Sequence, residues 1–290
     1  MILPFAPTAS LGVAPLALAL VAVFAYAVAA LPAPVAGGTA RLPAPALVAG
    51  WLLHAVLLVL DVGGWGRETP GARLGFGPVL SLSVWLVLAV HAVESRLVPL
   101  PAVRRALAVV GAAAVLLAWA FPGEVHVLAS PWAPLHWVLG VASYGLFGAA
   151  VLHATMLDSA ERAMRSRAGL LATASGQVGL PGRAAGAGPM GMPLLRLERL
   201  TFRFVEAGFV VLTAALVLGV MTAAPFRFNH KTVFSLLGWA VVAALLIGRH
   251  RQGWRGRRAT RWLYVGAALL LLAYVGSRFV FEVVLGRAAA

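Results

Sequence analysis

Eight apolar stretches, separated by short polar, basic or proline-rich segments, follow one another along the chain. They lie at roughly 9–31, 44–63, 78–95, 105–121, 133–156, 202–224, 232–249 and 262–282, and most approach the ~20 apolar residues that a helix needs to cross a bilayer. The pattern predicts an all-α fold: a polytopic transmembrane helix bundle of eight spans with no sheet. Prolines mark several breaks, as in Leu31-Pro32-Ala33-Pro34, Leu97-Val98-Pro99-Leu100-Pro101 and Ser130-Pro131-Trp132-Ala133-Pro134. The longest connection spans about 157–200; its middle, Ala168 to Met192, is rich in Gly, Ala and Ser and reads as a flexible linker. Its flanks, Leu157–Arg162 and Leu195–Arg199, look like extensions of the helices on either side. No stretch suggests a separate soluble domain, so residues 1–290 are expected to form a single integral membrane domain.

Charge orients the bundle. Loops on the cytoplasmic side are enriched in Lys and Arg. With the N-terminus outside, 17 of the 23 basic residues fall on inner segments and only Arg67, Arg73, Arg227, Lys231, Arg278 and Arg287 on outer ones. That asymmetry predicts two extracytoplasmic termini and a cytoplasmic loop at 157–200, as in a multi-pass protein of the bacterial cytoplasmic (inner) membrane. It also accounts for the net charge of +14 without nucleic acid. No Lys or Arg precedes Arg41, so the first apolar stretch is expected to be a retained span rather than a cleaved leader.

The composition, 61% hydrophobic and 11% charged with a mean hydropathy of +0.92, makes each intramembrane ionisable group conspicuous. The chain has no cysteine, which removes disulfides, thiolate metal sites and covalent haem attachment through Cys-x-x-Cys-His. It has seven histidines: His54, His91, His126, His136, His153, His230 and His250. Imidazole is the commonest metal ligand among side chains. Depth along each span sorts these residues into an outer layer (His126, His136, His230), a midplane residue (His54) and a group in the inner half (His91, His153, His250). The plainer reading is also open: His126 solvated in a loop, His153 and His250 snorkelling to headgroups, His91 hydrogen-bonded to Glu94 one turn away. His136, His230 and His54 are the residues expected to bind metal.

Three segments carry a resemblance. Leu135-His136-Trp137-Val138-Leu139-Gly140-Val141-Ala142-Ser143-Tyr144 resembles the His-(x)7-Tyr helix of the cytochrome c assembly protein family (CcsA/CcmC/HemX-like). Phe228-Asn229-His230-Lys231-Thr232-Val233-Phe234-Ser235-Leu236-Leu237-Gly238-Trp239 stands where that family has a Trp-Asp-Pro-Lys-Glu-Thr-Trp segment, and Gly253-Trp254-Arg255-Gly256 is similar to its cytoplasmic Gly-Trp-x-Gly turn. Order and spacing agree over the last two-thirds of the chain, most closely with the small bacterial YpjD and HemX-like branch.

The resemblance implies haem handling: binding, transport or delivery, with cytochrome c maturation or haem-synthesis proteins as partners beside the lipid bilayer. It assigns His136 as an outer haem histidine, His54 as an in-membrane one and His250 as a second. The second outer histidine has no counterpart in Ala273-Tyr274-Val275-Gly276-Ser277-Arg278, and Thr222–Phe228 contains no Trp, so His230 is the substitute ligand to consider. Lys231, Arg278 and Arg227 are the cations for propionates; Trp137, Phe226, Phe228 and Phe279 are the aromatics that could cover the ring. No catalytic residues are expected and the protein is not expected to be an enzyme. The alternatives are a transporter, or transporter subunit, for another small solute or metal ion, and a non-catalytic membrane regulator of haem synthesis.

Overall fold

The computed structural model describes residues 13–32, 43–63, 72–94, 101–123, 125–126, 132–174, 194–222 and 229–285. Within them the chain forms α1 (Val13–Ala30), α2 (Pro43–Gly63), β1 (Ala72–Arg73), α3 (Phe76–Glu94), α4 (Pro101–Ala120), β2 (Val125–His126), α5 (Ala133–Ala174), α6 (Leu194–Thr222), α7 (His230–Gln252) and α8 (Gly256–Leu271). Helix α8 continues through two π-helical segments, Leu272–Gly276 and Phe279–Val284. Seven helices, α2 to α8, are long and apolar enough to cross a membrane; α1 contributes a shorter apolar stretch, Pro15–Ala30. The protein is a multi-pass membrane protein in which the bilayer contacts the outward apolar side chains, among them Phe24, Val210, Val217 and Met221.

The helices divide into two packed groups. Helices α1 to α4 surround one core that includes Tyr26, Leu88 and Ala108, and Met156 and Leu157 of α5 and Leu197 of α6 complete it. Helices α5 to α8 surround another, around Phe147, Val205, Val242 and Leu263. The seam between the groups is α3 against α5, where Gly145 and Gly148 face Leu86 and Val87 so closely that a Cβ on either glycine would lie 2.7 Å from a side-chain carbon. In lipid, close approach over small residues is a principal source of helix association.

One element of strand shows which connections share a face. Ala72 pairs with His126 and Arg73 with Val125 in a two-residue antiparallel ladder, joining the α2–α3 and α4–α5 connections. This small ladder departs from the expectation of no sheet. Hereafter the strand face is this end of the bundle, and the basic face is the end bearing the α7–α8 turn. Below the ladder, Leu74, Phe76, Val79 and Val275 form a third cluster with Trp137, Phe121 and Tyr274 packed on it.

The expected loop at 157–200 is largely helix. Helix α5 extends 42 residues to Ala174, about 63 Å at 1.5 Å per residue, twice the ~30 Å of a hydrocarbon core. Part of the Ala168–Met192 stretch is therefore helical rather than linker, because Ala and Leu at 168–174 are strong helix formers. The remainder, 175–193, lies outside the described residues, as do Phe226, Arg227 and Phe228.

Candidate functional site

Four helix ends of the second group meet at the strand face. Helix α5 starts there at Ala133, α6 ends at Thr222, α7 starts at His230 and α8 finishes in its π-helical turns. Asn229 starts α7: its side-chain oxygen accepts the Thr232 backbone N–H and the Thr232 hydroxyl, each at 3.0 Å. That is the N-cap arrangement which satisfies an otherwise unpaired helix donor, and it sets His230 and Lys231 in the first turn.

His136, in the first turn of α5, is half-buried and lies against α6. Its Nδ1 is 3.0 Å from the carbonyl oxygen of Ala215. A carbonyl only accepts, so Nδ1 carries the proton and Nε2 the lone pair. This is the tautomer and the anchoring that a metal-ligating imidazole uses. Gly219, one turn further along α6, leaves the space for the ring: a Cβ there would lie 2.9 Å from Cε1.

Cations converge beside it. The Lys231 ammonium sits 4.7 Å from the centroid of the Tyr274 ring, and the Arg278 guanidinium 5.4 Å from the same ring. Lys231 is also within electrostatic reach of His136. Tyr274 is held in place by donating its hydroxyl to the Leu74 carbonyl at 2.7 Å, and it belongs to the π-helical turn Leu272–Gly276. Tyr144, the end of the His-(x)7-Tyr spacing, donates to the Leu270 carbonyl at 2.7 Å, just where the helix begins to widen. Single π turns inside α-helices are frequent at functional sites. Trp137 packs into the cluster of Leu74, Phe76 and Val275, bringing the second motif aromatic to the same end. Phe279 lies on Phe76 at 5.2 Å.

The other histidines go elsewhere. His230 is exposed and stacks on Phe281 at 5.2 Å. His54 is 1% exposed; its Nδ1 meets the Tyr26 hydroxyl at 3.0 Å and its Nε2 the Ser81 hydroxyl at 2.6 Å. Both ring nitrogens are thus engaged by neighbouring helices. His250 lies in the last turn of α7 with Nδ1 on the Leu246 carbonyl at 2.9 Å, at the basic face. His153, buried in α5, places Nδ1 on the Ala149 carbonyl at 2.7 Å and stacks on Phe204. His91 is buried in α3, and the side chains of Glu94 and His126 lie outside what is described.

The structure therefore brings His136, Trp137, Lys231 and Arg278 to one end of the bundle. It does not assemble His136, His230 and His54 into one metal group: each has a different set of neighbours. Among the described residues no group of three or more His, Asp or Glu is placed to hold a metal ion. Nor does it pair His54 with His250, which belong to different helix groups. Sequence reading missed Ala215, Gly219 and Tyr274 at the site, and Tyr26 and Ser81 around His54. A backbone carbonyl leaves no signal in residue type; Tyr274, four residues before Arg278, could have been found from helical spacing.

The family model described as "Cytochrome C assembly protein" matches residues 73–285, which includes the whole of the strand-face site. The chain belongs to the cytochrome c assembly protein family. Its relatives include the inner membrane protein YpjD of Escherichia coli (strain K12), 30% identical over 256 residues, covering 86% of this chain and 89% of that protein. The cytochrome c biogenesis protein CcsA of Parasynechococcus marenigrum (strain WH8102) is 25% identical over 218 residues, covering 68% of this chain and 71% of that one. An uncharacterised 28.8 kDa protein of Azospirillum brasilense is 32% identical over 160 residues, about half of each chain. No solved structure matches. Family, relatives and apolar helices together make this a multi-pass inner-membrane protein of cytochrome c assembly type.

Proposed function

We propose that this protein handles haem at the strand face of the membrane, as a carrier or accessory in cytochrome assembly and not as an enzyme. The observation that carries the reading is the His136 imidazole. Its Nδ1–H is held by the Ala215 carbonyl, so Nε2 presents a lone pair at the membrane margin. Haem, when bound, would supply an iron centre with affinity for imidazole nitrogen, and carboxylates that call for cations.

The residues present fit that group in kind. His136 would hold the iron through Nε2, the nitrogen that the Ala215 contact leaves as the donor. Lys231 and Arg278, both beside Tyr274, are cations suited to propionates. Trp137 gives the same end an aromatic wall. Tyr274 and Tyr144 act by orientation: each hydroxyl ties its helix to a carbonyl of another segment and holds the cations relative to His136. His54 does not fit as a ligand in this arrangement, since Tyr26 and Ser81 occupy both nitrogens. His230 contributes through its position beside Lys231 and its stacking on Phe281.

The strand face is read as extracytoplasmic, because the arginines concentrate at the other face. The partners that follow are cytochrome maturation or haem-synthesis proteins. The test is an absorbance spectrum of the full chain, purified in detergent after expression with haem supplied. A Soret band is expected for the wild type and its loss or shift for His136→Ala. No band in the wild type, or an unaltered band in His136→Ala, overturns the reading.

A further inference from the structure

The opposite end of the bundle carries a second site, built from the α7–α8 turn. Helix α7 ends at Gly253, whose φ of 64° is left-handed, and the chain turns through Trp254 and Arg255 into α8 at Gly256, whose φ of 56° is left-handed too. The Trp254 N–H donates back to the Gly248 carbonyl at 3.3 Å. The double turn leaves a shallow cleft lined by Arg249, His250, Gly253 and Arg255. Arg249 is set by Glu198 at 3.0 Å and by the Phe202 ring at 3.6 Å, so its guanidinium is pre-positioned. Arg255 is 3.7 Å from the same Glu198, and its side chain is 74% exposed. Arg258 covers the Trp254 ring at 4.1 Å, and Trp254 lies against Trp262 at 5.5 Å.

Between Arg249 and Arg261 the chain holds six arginines and no acid. Among the described residues the carboxylate in ion-pair contact with this segment is Glu198. Asp158 accepts from Thr260 in the same segment, and a Cβ at Gly256 would stand 3.4 Å from a Glu161 oxygen; three carboxylates against six arginines leave an excess of positive charge that suits the cleft to an anion. Its surroundings say which kind: Ile247 on α7 and Trp262 and Val265 on α8 are exposed apolar side chains close along the same two helices. Positive charge beside an apolar shelf, with an indole pair at the junction, is the chemistry of the bilayer interface. We propose that this cleft seats the phosphate of an anionic phospholipid, with Arg249, His250 and Arg255 as its contacts and the lipid-facing sides of α7 and α8 as the bed for its acyl chains. A lipid held at this turn would brace the α7–α8 hairpin from the basic face.

The experiment is native mass spectrometry of the full-length chain in detergent, titrated with phosphatidylglycerol, with phosphatidylcholine, or with inorganic phosphate. The wild type is expected to retain phosphatidylglycerol in preference to phosphatidylcholine. Arg255→Gln with His250→Gln should weaken retention by at least about fivefold, the factor for roughly one charge at a membrane surface. Arg196→Gln with Arg203→Gln, exposed on α6, should leave it unchanged. Arg255→Gln alone, at an exposed side chain, gives the same readout should the double variant fail to fold. Equal loss in the α6 variant overturns the proposal in favour of diffuse attraction. Equal retention of phosphatidylcholine overturns it too, and so does displacement of the lipid by inorganic phosphate, which would make the site one for free phosphate.

Discussion

The imidazole of His136 on α5 is tied to the carbonyl of Ala215 on α6 at 3.0 Å, and the ring is seated against Gly219. Ring orientation therefore depends on two residues with no polar side chain. A methyl group at Gly219 would stand 2.9 Å from Cε1, and overpacking of this kind costs about 1–3 kcal/mol. Gly219→Ala is expected to shift or weaken the Soret band with the protein still inserted. Gly140→Ala, with open space around it, should leave the spectrum unchanged. Identical spectra for the two would dissociate ring placement from ligand binding.

Tyr26 should matter for stability and not for the strand-face site. Tyr26→Phe leaves a fully buried His54 nitrogen without its partner, at a cost of about 1–3 kcal/mol. The variant is expected to unfold at lower temperature in detergent while keeping the wild-type Soret position. A changed band would bring His54 into the binding site.

Asp158 ties the basic-face ends of α5 and α8 by accepting the Thr260 hydroxyl at 3.1 Å and the Tyr264 hydroxyl at 2.9 Å. Bonds to a charged acceptor contribute about 1.5–3 kcal/mol each. Asp158→Ala should cost more than Tyr264→Phe, and adding Thr260→Val to Asp158→Ala should cost little further. Thermal unfolding of the three variants measures this; additive losses would mean the hydroxyls act independently of the carboxylate.

Two glycines at the α7–α8 turn are needed for different reasons. Gly253→Ala meets no neighbour but forces a left-handed backbone on a residue with a Cβ, at about 1–2 kcal/mol. Gly248→Ala drives a methyl to 2.5 Å from the Trp254 ring. Both are expected to lower thermal stability, and only Gly248→Ala should also change Trp fluorescence, because only it displaces an indole.

Orientation is open to a direct test. A reporter fused after Ala290 is expected to behave as extracytoplasmic, from the concentration of arginines on the other face. Cytoplasmic behaviour would invert the bundle and put His136 on the inner side.

Much of the fold was legible because hydropathy sums over some 20 residues at a time, so local ambiguity averages out. Hydropathy alone gave eight spans, of which seven are helices long and apolar enough to cross a membrane while the first, Pro15–Ala30, is shorter, and the motif segments around His136, Lys231 and Gly253 located the two ends of the bundle. What escaped was of two kinds. The helical course of α5 to Ala174 was hidden because small residues such as those at 168–174 suit linkers and helices alike. The partners of the histidines were hidden because they are set by depth and rotation across helices: Ser81 lies 27 residues from His54, and Ala215 lies 79 residues from His136. Periodicity gives a face on each helix but not which face it meets.

One pairing in the N-terminal group bears on motion. The indole N–H of Trp51 donates to the Trp85 carbonyl at 3.1 Å, that of Trp85 donates to the Trp51 carbonyl at 3.0 Å, and the two rings stack at 4.8 Å. His54 and Ser81 stand one turn away on the same two helices. A slip of α2 past α3 by a single residue, about 1.5 Å, would open both indole bonds together and part the imidazole from its hydroxyl. The crossed tryptophans act as a bolt: the depth of His54 in the membrane cannot be adjusted by sliding α2 on α3 without breaking both indole bonds and the imidazole contact at once.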